Sequence, residues 1–81
     1  MRDDIGAWLE ETGRRQRILT QLLPALKEAE GTRGILSLGY APEEEMAVAA
    51  FADGREVWIN VAGDSDMAMI YDVVVKLWRP Y

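Results

Sequence analysis

Through the first third of the chain, apolar and polar side chains alternate at a helical period. Ile5, Trp8, Leu9, Thr12, Gln16, Leu19, Leu22, Leu23 and Leu26 share one mainly apolar face, at about 3.6 residues per turn. Asp3 or Asp4 can cap the start, where acidic charge meets the positive end of the helix dipole, and Gly31 supplies a stop. The pattern predicts a helix over about 3–29, and there are two ways to build it. Either one helix runs throughout and kinks at Pro24, which lacks the amide an interior turn needs, or it breaks near Gly13 into segments 3–12 and 14–30. A single helix would be about 40 Å long at 1.5 Å per residue, longer than a compact domain of this size. Its first turns would project and offer Ile5, Trp8 and Leu9 to a partner or to a second copy of the chain.

Beyond this helix the period falls to two, and residues 33–40, 46–52 and 55–62 read as strands. In the first, Leu36, Leu38 and Tyr40 alternate against Ile35, Ser37 and Gly39. Ala41-Pro42-Glu43-Glu44-Glu45 reads as a loop, because proline brings no amide to a ladder and the acids prefer water. Asp53-Gly54 is a two-residue hairpin signal. Such a turn sets Ala50 against Val57, Val48 against Ile59 and Met46 against Val61, an apolar face for the core. Ala47, Ala49, Phe51, Glu56, Trp58 and Asn60 then fall on the opposite face, where Phe51 and Trp58 make a seat for a helix or a partner. Asp64 or Ser65 can cap a last helix over about 66–78, with Met67, Ile70, Tyr71, Val74, Leu77 and Trp78 as its apolar stripe. Asp72 and Lys76 lie one turn apart as a stabilising pair, and Pro80 ends the helix. The expected fold class is α+β in the order α-β-β-β-α. It is a three-stranded antiparallel meander with the N- and C-terminal helices packed on one face, a single domain over 1–81.

Size sharpens this picture. A chain of 81 residues buries only about 60–65% of the surface its unfolded form exposes, so its stability is modest unless supplemented. The absence of cysteine removes disulfides and thiolate metal sites, and the absence of histidine removes the usual imidazole ligand. Self-association is the supplement left, most simply as a homodimer. The net charge of −5 and pI of about 4.6 argue against direct nucleic-acid binding, which needs cationic surface, and favour a protein partner with a basic surface. The N-terminus has no apolar signal-peptide core, and no apolar run approaches the roughly 18 residues needed to span a bilayer. The expectation is a cytoplasmic protein without membrane association.

Candidate chemistry is thin. Gly63-Asp64-Ser65 is similar to the nucleophile block of GDS-type lipases and esterases, but a serine nucleophile needs a base, and the chain has no histidine. Helix capping explains Ser65 with nothing further. Asp64 and Asp66 could begin a calcium loop, yet Val75 stands where that loop needs its glutamate. Glu43, Glu44 and Glu45 read as solvated surface, and Arg14, Arg15 and Arg17 form the one basic cluster, with Arg15 near the apolar stripe. These residues point to no catalytic group, metal or cofactor, and to a non-enzymatic role.

The segment EEMAVAAFADGREVWINVAGDSDMAMIYDVVVKLW, with its hairpin, capped turn and helix, gives the chain a layout and charge that resemble a family of small acidic phage proteins. These are anti-CRISPR proteins, inhibitors that occupy the nucleic-acid groove of a CRISPR nuclease. The likeness is one of layout and charge and carries over no functional residue. It implies an inhibitor from a phage or mobile element, acting on a nucleic-acid-binding effector. The acidic residues expected at such an interface are Glu43, Glu44, Glu45, Asp53, Glu56, Asp64 and Asp66, clustered at the loop ends of the sheet. Ile5, Trp8, Leu9, Phe51 and Trp58 are the expected apolar contacts, to a partner or between the copies of a structural, self-associating subunit.

Overall fold

The computed structural model describes residues 2–78, with side chains from Ile5 onward, so the capping role of Asp3 or Asp4 and the stop at Pro80 lie outside the described residues. The elements are α1 (Arg2–Glu28), a 3-10 turn (Glu30–Thr32), β1 (Ile35–Ala41), β2 (Met46–Phe51), β3 (Glu56–Asn60) and α2 (Asp66–Trp78). The order is α-β-β-β-α, and the sheet is an antiparallel meander in the order β1-β2-β3. α1 is one continuous helix through both Gly13 and Pro24. Pro24 and Thr20, whose carbonyl loses its amide partner, are both exposed, so water can take the missing bond. At the other end of α1, the buried Thr32 hydroxyl donates to the Leu26 carbonyl at 2.7 Å and closes the last turn.

The core holds Leu19 and Leu26 from α1, Ile35, Leu38, Ala47, Ala49, Phe51, Ile59 and Val61 from the sheet region, and Met69, Val73 and Leu77 from α2. Both helices therefore lie on one face of the sheet. β3 turns its expected side inward, with Val57, Ile59 and Val61 toward the core, whereas β2 turns in the side opposite to the one the Asp53-Gly54 reading assigns. The Phe51 amide donates to the Arg55 carbonyl at 2.9 Å and the Gly54 amide to the Phe51 carbonyl at 3.0 Å, so the loop is three residues, Ala52 to Gly54. Gly54 takes φ +91, the left-handed position that closes such loops. One extra loop residue moves the register to Ala50↔Glu56, Ala49↔Val57, Val48↔Trp58 and Ala47↔Ile59. Because strand side chains alternate, a slip of one residue turns every side chain of β2 over relative to β3. Ala47, Ala49 and Phe51 go into the core, and Met46, Val48 and Ala50 go to the open face, where Trp58 lies as expected. β1 has its own irregularity. Its register shifts between Ile35↔Phe51 and Ser37↔Ala50. Leu36 is the unpaired residue and points to solvent, while Ile35 and Leu38 both reach the core.

α1 also guards the outer edge of β1. The Gln16 side chain passes over Gly39 and accepts the Tyr40 amide at 2.9 Å, covering a donor that an edge strand would leave open. A Cβ on Gly39 would sit 3.4 Å from Gln16 Oε1, so a larger residue there would press on this bond.

Candidate functional site

Arg15 sits midway along α1 and is only 4% exposed. Its guanidinium donates to the carbonyl of Val61 at 3.3 Å and to that of Asp64. It also pairs with Glu11, one turn earlier, at 3.3 Å, and stacks 5.5 Å from the centre of the Tyr40 ring. Fixed carbonyl dipoles thus take the place of water around the charge, which is what makes its burial tolerable. The contacts tie α1 to the turn between β3 and α2. Arg15 Nε is buried with no partner among the described residues.

Above Arg15 lies a cleft of about 230 Å³ whose walls include Trp8, Glu11, Tyr40, Glu45 and Asp64. Glu45 is held at φ 56, a left-handed conformation that costs a non-glycine residue about 1 kcal/mol or more. Its carbonyl accepts the Val61 amide at 3.1 Å, which joins the β1–β2 turn to the end of β3 and fixes the cleft rim.

The three residues of the β3–α2 turn have separate tasks. Ser65 Oγ accepts the Ala68 amide at 3.1 Å, so the hydroxyl is the N-cap of α2. Asp66 forms an ion pair with Arg14 at 2.7 Å, which pins the start of α2 to α1. Asp64 turns the other way, toward Asp72. Side-chain hydrogen bonding with Asp72 raises the Asp64 pKa above the usual carboxylate range; partial desolvation and the like charge of Asp72 add to the shift, and Arg15 opposes it. Asp64 and Asp66 therefore do not converge on one point.

The expected acidic cluster divides. Glu43, Glu44 and Glu45 are exposed in the β1–β2 turn, at the same end as Glu11, Asp64 and the first half of α1. Asp53 and Glu56 belong to the β2–β3 hairpin at the opposite end, about 20 Å away along β2. There Asp53 is 3.6 Å from Arg55, whose guanidinium lies 4.2 Å from the centre of the Phe51 ring. The apolar set divides too. Ile5, Trp8 and Leu9 are exposed on the projecting turns of α1. Phe51 is buried, which corrects its assignment to a binding surface and follows from the one-residue slip. Trp58 stays on the open sheet face, 44% exposed, with its indole donating to Glu56 at 3.2 Å. Glu11, Tyr40 and the buried role of Arg15 escaped the sequence reading. The signal for them was the Glu11/Arg15 spacing of four beside the apolar stripe. No family model, curated protein or solved structure matches the chain.

Proposed function

We propose that the chain is a cytoplasmic, non-enzymatic protein-binding module whose acidic end docks a partner with a basic surface. That end comprises the first half of α1, the β1–β2 turn and the β3–α2 turn. The observation that carries the reading is the internal consumption of the Arg15 charge by Val61, Asp64 and Glu11. With that cation sequestered, Glu43, Glu44 and Glu45 face outward beside an opening edged by the Trp8 ring, and Ile5 and Leu9 project next to it. Carboxylates beside an aromatic face suit lysine and arginine side chains, through charge-assisted hydrogen bonds and cation–π contact. Apolar residues alongside give the contact area that charge alone does not.

Proteins that grip nucleic acid present such basic surfaces, and a module occupying one would inhibit by competing with phosphate. The binding reading is also the simpler one chemically. Ser65 is engaged as a helix cap.

A labelled lysine- and arginine-rich peptide of defined sequence, followed by fluorescence anisotropy, tests this. Affinity should fall as salt rises and drop by about tenfold or more in a Glu43→Gln, Glu44→Gln, Glu45→Gln triple variant. Asp53→Asn, at the far end, should bind as the parent does. Equal affinity in the triple variant and the parent would remove the electrostatic reading.

A further inference from the structure

α2 buries Met69, Val73 and Leu77, yet it is apolar on a second side as well. Tyr71, Val74 and Trp78 follow Met67 at intervals of four, three and four residues, which is the spacing of a helix-pairing seam. These side chains are in the open: Met67 is 71% exposed, Tyr71 67% and Trp78 71%, with Val74 and Val75 partly exposed beside them. Isolated apolar residues on a surface mean little, but a continuous stripe along one helix marks an interface. Aromatic residues and methionine are the types enriched there.

We infer that this outer face of α2 is the contact between two copies of the chain, packed antiparallel about a two-fold axis midway between Tyr71 and Val74. Two features select a second copy as the occupant. The first is self-complementarity. In that register Tyr71 lies against Val74 of the other copy and Met67 against its Trp78, so each large side chain meets an apolar one. Sulfur on an indole and antiparallel helix dipoles are both favourable. The second is area. Aromatic side chains contribute about 150–250 Å² each when buried. At the observed exposures the stripe therefore offers about 500 Å² per copy, or about 1,000 Å² for the pair, the lower limit for a specific interface. A weak dimer in the micromolar range follows. Self-association is also the one supplement to stability that a small chain without cysteine retains. The seam begins at Met67, next to Asp66 of the acidic end, but its test reads self-association and not peptide binding, so the two proposals fail separately.

Sedimentation velocity on the full chain, from about 5 µM to about 500 µM, should show the 9.1 kDa monomer passing to twice that mass, as expected for an interface this small. Tyr71→Glu should raise the dissociation constant by about tenfold or more while leaving the far-ultraviolet circular dichroism unchanged, because Tyr71 is outside the core. A parent that stays monomeric throughout, or a folded Tyr71→Glu variant that dimerises as the parent does, overturns the inference. Orientation is tested with cysteines, since the chain has none of its own. Met67→Cys mixed with Trp78→Cys should form a disulfide-linked pair under mild oxidation. Met67→Cys alone should not, because antiparallel packing holds its two copies about 16 Å apart, beyond the roughly 7 Å reach of a disulfide. Ready cross-linking of Met67→Cys with itself contradicts the antiparallel seam.

Discussion

Replacing Arg15 by methionine tests the physical basis of the candidate site. Methionine keeps an apolar stem of similar reach but removes the guanidinium, so the Asp64 carbonyl loses its charged donor and the Val61 carbonyl keeps only the Asp64 amide at 3.0 Å. A hydrogen bond from a charged donor is worth about 1.5–3 kcal/mol net of its desolvation. Two such bonds from one guanidinium do not add fully. The ion pair with Glu11 adds little, because that carboxylate is half exposed. The expected loss is therefore about 2–4 kcal/mol, a large share of the stability of so small a domain. At about 4–8 °C per kcal/mol the melting temperature should drop by about 10–25 °C. Urea unfolding followed by far-ultraviolet circular dichroism measures it, with exposed Arg17→Met as the control and an expected change within about 0.5 kcal/mol. If Arg15→Met is as stable as the parent, the burial cost of the charge equals what its bonds return, and Arg15 does not hold the cleft together.

Three other perturbations probe separate features. Phe51→Ala should cost about 3–5 kcal/mol in the same unfolding assay, because the three-residue hairpin puts the ring in the core; a cost under about 1 kcal/mol would restore the opposite register. Glu45→Gly should relieve the left-handed strain and stabilise the fold by about 0.5–1 kcal/mol while weakening binding of a basic peptide, which calorimetry can read on both counts. Asp64→Asn should raise the melting temperature at neutral pH. The folded pKa of Asp64 lies above its ordinary 3.8, so ionisation costs stability as pH rises from that value through the raised one. The advantage of the asparagine should shrink on acidification and vanish below the ordinary value; an advantage that does not change with pH would mean the carboxyl pair is not its source.

The order of elements was legible from period and punctuation alone, because each segment carries one dominant spacing and the breakers Gly31, Pro42 and Gly63 stand between them. The faces were not. Asp53-Gly54 fits a two-residue and a three-residue loop equally, since both place glycine at positive φ, and only long-range packing against Leu19 and Val73 selects the longer one. In β1 the bulge at Leu36 lets Ile35 and Leu38 both turn inward, which a strict alternation forbids. α2 is apolar almost all round, so spacing could not tell its buried side, Met69, Val73 and Leu77, from its exposed one. Arg15 showed only its spacing from Glu11; its other polar partners are the backbone carbonyls of Val61 and Asp64, which have no signature in a sequence.

Whether the acidic end of the molecule docks a basic surface can be read from backbone amide shifts on isotope-labelled protein. Titrating in a lysine- and arginine-rich peptide should shift the amides of residues 8–15, 43–46 and 61–66 together, and those shifts should fade as salt is raised. The amides of the β2–β3 hairpin, around Asp53 and Glu56, should stay where they are. Shifts confined to that hairpin or to the open sheet face around Trp58, or none at all at low salt, would contradict the account.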